Sequence, residues 1–315
     1  AVSHRYYQLK KEWLGLDTLN HWDRNAPLPD QDNSYIAYSQ ALNTVRNAYE
    51  AFSPTMAKLM DQFKDGYIDA HVVDGKDSGA FSHPTVPSVH PYIMLNYQGK
   101  TRDVMTLAHE LGHGIHQILA ADQGHLMSQT PLTLAETASV FGEQLTFRGM
   151  LDQTKDPKTR KMMIASKVED MINTVIRQTA FCDFEWQVHT KRQQGELSCS
   201  DICDIWMDVQ SNSLGPAFNF DDSYRYYWMY IPHFIHTPFY VYAYAFGDCL
   251  VNSLYQVYLE GLDGFHEKYL SMLKAGGTLG HKELLAPFGL DASKGDFWQK
   301  GLDVIIGFID ELQSS

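Results

Sequence analysis

Residues 101–120 read TRDVMTLAHELGHGIHQILA, and the reading of the whole chain turns on this stretch. Val104, Leu107, Ala108, Leu111, Ile115 and Leu119 recur at helical spacing, with Thr101 as the expected N-cap and Asp103 suited to the positive end. Inside it, His109-Glu110-Leu111-Gly112-His113 has the form H-E-x-x-H. Residues four apart share a helix face, so two imidazoles can reach one metal ion. Glu110 follows His109 by about 100° of rotation, which lets it address the ion's open position without being a ligand. Two solvent-facing histidines on an ordinary helix would give the same five letters. A third ligand and a substrate site must come from elsewhere.

The third ligand separates the classes that share the pattern. The metzincin extension requires Gly at 116 and His at 119, and the chain has His116 and Leu119. The other large group takes a glutamate from a following helix. In LAETAS, 134–139, Glu136 stands among small and apolar residues inside a helix expected over 133–152. An ionised carboxylate in such a setting needs a partner, so Glu136 is the expected third ligand, with a surface cap or salt bridge as the bland alternative. Glu143, two turns on, is a candidate to orient a ligand histidine, or a surface salt bridge. His116 reads as a supporting or structural residue, because a fourth protein ligand would close the site. Zinc in such a site makes water acidic and polarises a carbonyl, with Glu110 as general base.

In 231–247, IPHFIHTPFYVYAYAFG, His233, Tyr240 and Tyr244 fall at i, i+7 and i+11. On one unbroken helix these share a face that could donate hydrogen bonds to an oxyanion, while Tyr242 points elsewhere. Pro238 interrupts that helix, and an aromatic core stripe would show the same periodicity.

Upstream, a helix is expected over 5–16, another from a Ser34 cap to Phe52, and a third from Ser53-Pro54 to Gly66. Tyr67–Val73 and 90–97, HPYIMLNY, are the strand candidates, and 90–97 could offer a sheet edge to a peptide backbone or be an ordinary packed strand. Downstream, helices are expected over 157–194, 198–212, 233–260, 265–274 and 294–311. The expected fold is mainly α, with a small sheet next to the H-E-x-x-H helix. One catalytic domain is expected over 1–315, with 1–66 a helical lead-in, 67–97 the sheet and 101–315 the helical region.

A net charge of −13 gives no basic footprint for nucleic acid or anionic lipid. Four cysteines (Cys182, Cys199, Cys203 and Cys249) are too few for a disulfide scaffold and read as buried free thiols. No stretch approaches the ~18 apolar residues of a membrane span, and the first residues lack a leader's apolar run. A cytoplasmic location is the expectation.

SGAF at 78–81, HPYIMLNY at 90–97, DVMTLAHELGHGIHQ at 103–117, LAETASVFGE at 134–143 and IPHFIHTPFYVYAYAFG at 231–247 together resemble the oligoendopeptidase F branch of the thimet-oligopeptidase family of zinc metallopeptidases. The resemblance implies a mostly helical fold and one zinc per chain on His109, His113 and Glu136, with Glu110 as general base. It places His233, Tyr240 and Tyr244 in the family's His/Tyr region, without deciding which tyrosine meets the oxyanion. It implies short unstructured peptides as substrates, cut internally within a deep channel. Members of the family are much longer, and this chain resembles their C-terminal half. A more open cleft, self-association or a separate N-terminal half over the cleft are the corresponding expectations. The alternatives are a related zinc exopeptidase and a metal-binding but catalytically impaired peptide-binding fragment.

Overall fold

The computed structural model describes residues 2–28 and 35–314. The chain runs through helix α1 (Val2–Trp13), strand β1 (Leu19–Asn20), helices α2 (Tyr38–Phe52) and α3 (Pro54–Met60), and strands β2 (Ile68–Asp69), β3 (Phe81–His83) and β4 (Tyr92–Met94). Helix α4 (Thr101–Ala120) follows, then α5 (Leu132–Ala135), α6 (Ser139–Gln153), α7 (Pro157–Met171), α8 (Arg177–Arg192), α9 (Cys199–Leu214) and strand β5 (Phe218–Asn219). The chain closes with α10 (His233–His236), α11 (Tyr242–Leu259), α12 (Phe265–Lys274), α13 (His281–Leu285) and α14 (Gly295–Ser314). The fold is mainly α with a small sheet, as expected. The Ser34 cap lies outside the described residues.

Backbone proximity divides the chain into two compact units. One comprises residues 1–32, 156–249 and 302–315, the other residues 33–155 and 250–301. Helices α11 and α14 contribute to both.

In the second unit α4 is the central element, packed by α2, α3, α6 and α12. Its apolar stripe of Val104, Leu107, Ala108, Leu111 and Ile115 is wholly buried. Each of the valine, leucine and isoleucine side chains contributes roughly 1.5–3 kcal/mol on leaving water. Thr101 is the first helical residue and not the cap. The start is held by Asp103, whose carboxylate accepts the Gln98 and Lys100 N–H groups at 2.9 Å each. Gly112 lets α6 approach closely: a Cβ there would lie 2.5 Å from the Ala138 carbonyl oxygen and 2.6 Å from the Ser139 Cα. Tyr49 of α2, fully buried, donates to the Ala108 carbonyl at 2.6 Å. Phe52, Phe141, Phe265 and Tyr269 stack around the same core.

The sheet order is β2-β4-β3, with β4 parallel to β2 and antiparallel to β3. Both strands are shorter than their patterns suggest. The Lys76 ammonium takes the Asp69, His71 and Leu95 carbonyls at 3.2, 2.8 and 2.9 Å beside the end of this pairing. Phe81–His83, not expected as a strand, supplies the third. This overturns one expectation. Strand β4 lies in the centre, Ile93 and Met94 paired on both sides and Tyr92 with β3, so among the described residues the edges belong to β2 and β3.

In the first unit, the helix expected over 157–194 forms as α7 and α8, joined through a π-helical turn at Ile172–Ile176. Asp156 caps its start, accepting the Thr159 N–H at 2.8 Å. Helix α9 begins with a reciprocal Ser198/Asp201 box. Helices α8 and α9 enclose Phe181, Phe184, Ile205, Trp206, Tyr224 and Val241. All four cysteines are free, but only Cys203 and Cys249 are buried: Cys182 is half-buried, and Cys199, the first residue of α9, is exposed. Among the described residues, no helix is long and apolar enough to cross a membrane.

Candidate metal centre and active site

The expected helix over 133–152 is broken at residues 136–138, and the break positions Glu136. Thr137 turns its hydroxyl onto the Leu134 carbonyl at 2.6 Å, and buried Tyr269 donates to the Thr137 carbonyl at 2.9 Å. These bonds compete with the regular helical ladder. Glu136 therefore sits on a turn, not inside a helix. Ser139 donates to its Oε2 at 2.7 Å and helps fix the carboxylate.

Three ligand atoms converge. His109 Nε2 and His113 Nε2 are 3.1 Å apart, and Glu136 Oε2 lies 3.3 Å from the first and 3.5 Å from the second. Four donors placed tetrahedrally at about 2.0–2.1 Å from a zinc ion stand roughly 3.3 Å from one another. The three separations match one face of such a tetrahedron, and among the described residues this is the group of histidines, cysteines and carboxylates able to hold a metal ion. Two imidazoles and one carboxylate are also the donor set of a hydrolytic zinc site.

The surroundings hold that geometry. Glu143 Oε1 accepts from His109 Nδ1 at 2.6 Å, which fixes the proton on Nδ1 and turns Nε2 toward the other donors. Burial works against a charged His109 ring, but the Glu143 bond and the nearby carboxylates outweigh it and raise its pKa to about 9. His113, half-buried, is pushed down to about 4 by desolvation and by neighbouring His109. Glu110 is 5 % exposed, and its Oε2 is buried without a hydrogen-bond partner. Burial raises its pKa to about 7, with His109 opposing and Glu136 and Glu143 adding. Glu110 thus follows His109 with a buried carboxylate oxygen that has no partner among the described residues, within electrostatic reach of His109, Glu136 and Glu143. His116 is buried behind this group, with Nε2 3.3 Å from the Thr130 hydroxyl, and is not one of the three.

His233, Tyr240 and Tyr244 also meet, within the first unit, but not by the expected route. The helix expected over 233–260 is two helices, α10 and α11, with Tyr240 between them. Pro238 cannot continue a helical ladder, and Phe239 adopts a left-handed φ of 61°. The turn folds Tyr240 onto His233, their rings 5.9 Å apart and 10° from parallel. Tyr244 stands edge-on to both, and its hydroxyl shares a hydrogen bond with His233 Nε2 at 3.3 Å. Tyr242 is exposed.

The model of peptidase family M3 matches residues 1–304. The chain belongs to peptidase family M3. Family M3 is a family of metallopeptidases, in keeping with the His109, His113 and Glu136 group. Among curated relatives, the group B oligopeptidase PepB of Streptococcus agalactiae is 29% identical over 99% of this chain and 52% of its own length. The oligopeptidase PepF of Bacillus subtilis is 27% identical over 98% of this chain and 46% of its own. A Chlamydophila abortus protein assigned as a peptidase superposes with a TM-score of 0.89 at 28% identity, over 99% of this chain and 53% of that one. Oligoendopeptidase-F from Enterococcus faecium shares the fold, with a TM-score of 0.75 at 22% identity over 99% of this chain and 49% of that one. This M3 chain thus spans about half the length of the relatives it matches.

Sequence reasoning missed Ser139, Gly112 as the point of close approach, and the turn under Glu136. Small residues at 137–139 and the glycine within H-E-x-x-H were the available signals.

Proposed function

We propose that this M3 chain is a zinc-dependent endopeptidase acting on short oligopeptides. The observation that carries the reading is the convergence of His109 Nε2, His113 Nε2 and Glu136 Oε2 beside the unpartnered oxygen of Glu110. His109, His113 and Glu136 would hold the ion, with Glu143 holding His109 in register. Zinc bound there supplies Lewis acidity toward water and the peptide carbonyl. Glu110, kept near neutral pKa, takes a proton at its free oxygen and returns it to the leaving amine. Tyr244 and Tyr240, with His233, are hydrogen-bond donors suited to an oxyanion. Short peptides as substrates follow from the names of the oligopeptidase relatives.

The test loads the purified chain with zinc, measures the bound metal, and follows cleavage of internally quenched peptides with mass analysis of the products. About one ion per chain, internal cleavage abolished by a chelator, and a Glu110→Gln variant that keeps its metal without turnover are the expected results. Release of terminal residues only would make the chain an exopeptidase. Metal bound with no cleavage by the wild type would make it a peptide-binding module. No metal bound under zinc excess would end all three readings.

A further inference from the structure

We infer that Glu185 is a positioning residue for the His233–Tyr240–Tyr244 cluster, acting through the backbone of Phe239. The inference rests on the reading of that cluster as peptidase machinery.

Glu185 lies on α8 and is 2 % exposed. One carboxylate oxygen accepts the Phe239 N–H at 2.8 Å. The other is buried with no hydrogen-bond partner among the described residues. A buried carboxylate with a single bond is a poor device for stability, since its desolvation is only partly offset. Its value must lie in what that bond holds. Phe239 is one of two non-glycine residues with positive φ among those described, at 61°. A bulky residue there costs on the order of 1–3 kcal/mol and persists only where its surroundings over-determine it. Helix α8 supplies those surroundings twice. Glu185 takes the amide, and His189, one turn on, packs against the Phe239 ring with centroids 4.7 Å apart.

The turn so held is the one that builds the cluster. Pro238 precedes Phe239 and cannot donate a backbone hydrogen bond. Tyr240 follows directly, and its ring stacks on His233. The Ala243 N–H then bonds the Tyr240 carbonyl at 2.9 Å, carrying the turn into α11 and Tyr244. Releasing Phe239 to an ordinary negative φ would reorient Tyr240 relative to both partners. Burial raises the Glu185 pKa, and the Phe239 N–H, then His189 and His233, oppose that rise.

The test compares Glu185→Gln, which keeps an acceptor oxygen, with Glu185→Leu, which removes it, in the full chain. Amide hydrogen exchange is read at Phe239 and Tyr240. Loss of one buried hydrogen bond should speed Phe239 exchange about 10-fold in E185L, with E185Q within about 3-fold of wild type. In peptide cleavage, kcat should fall about 10-fold in E185L with KM nearly unchanged, and E185Q should recover it. Phe239→Gly, free of strain at positive φ, should narrow the stability gap between E185L and its parent. The proposal is overturned if E185L leaves Phe239 as protected as in wild type, if E185Q is as damaging as E185L, or if F239G leaves the gap unchanged. A wild-type chain that cuts no peptide would remove the peptidase reading, while the exchange result would still decide whether Glu185 holds the turn.

Discussion

His109 and His113 stand four residues apart, His233 and Tyr244 eleven apart, and both spacings put two residues on one face of an ideal helix. The first pair meets because α4 is unbroken. The second meets because the helix is broken. In the candidate metal group, two of the converging donors ride on a 20-residue helix and the third is held by Ser139 within a turn. In the His/Tyr cluster, the middle member hangs on a strained loop between two helices, and both tyrosines are partly open to solvent. One group is built for fixed geometry. The other depends on a single turn that can be released.

The sharpest way to break the comparison is to remove chemistry from each group without moving it. Glu110→Gln should lower kcat about 10²–10⁴-fold with the metal retained. Tyr244→Phe removes one hydroxyl and should cost about 10²–10³-fold, also with the metal retained. Metal content and single-turnover cleavage of a quenched peptide measure both. A Tyr244→Phe chain as active as its parent would remove the hydroxyl from the mechanism.

How much of this was legible in the sequence divides along the same line. The helix of α4 and its two histidines follow from periodicity and spacing, whereas Glu136 is legible as a residue but not as a turn, because the Thr137 and Tyr269 bonds override its helical pattern. The cluster members at 233, 240 and 244 were named by a period that the chain does not use. Pro238 signalled the interruption, but no residue signals that Phe239 takes a left-handed φ. Glu185 carried no signal either, since a glutamate in a helical pattern reads as a solvated charge until its burial is seen. The strand at 90–97 was recognised, yet its place in the centre of the sheet depends on Phe81–His83, three residues too few to show a period.

Backbone rigidity is the next target. Gly112→Ala puts a methyl carbon where the Ala138 carbonyl and the Ser139 Cα stand, and neither can move without shifting Glu136. The expected cost is about 1–3 kcal/mol of stability, seen in urea unfolding, together with weakened metal binding. Phe239→Gly should by contrast be near neutral or stabilising in its own unit, because it relieves strain. Equal costs at the two sites would contradict the rigid-versus-releasable distinction.

Glu143→Ala tests the support of the metal group in isolation. It leaves all three donor atoms in place but frees His109 Nδ1 from its 2.6 Å bond. Metal affinity should fall about 10–100-fold, measured by competition with a chromogenic chelator. Unchanged affinity would mean that packing alone orients His109.

The smallest effect concerns the histidine behind the group. Burial depresses the His116 pKa from 6.5 to about 4, with the charge of His113 adding to it. Its neutral form therefore contributes stability that is complete above pH 6.5, declines as pH falls, and is lost below about 4. Between pH 7 and pH 5 the linkage amounts to about 2 kcal/mol. His109 and His113 also titrate, so the informative quantity is a difference between two chains that share them. In metal-free preparations, wild type should lose about 2 kcal/mol more than His116→Gln over that interval, read from urea midpoints. Parallel losses would show that His116 reaches solvent or a proton acceptor as the chain acidifies, and that the rigidity of α4 does not extend past its ligands.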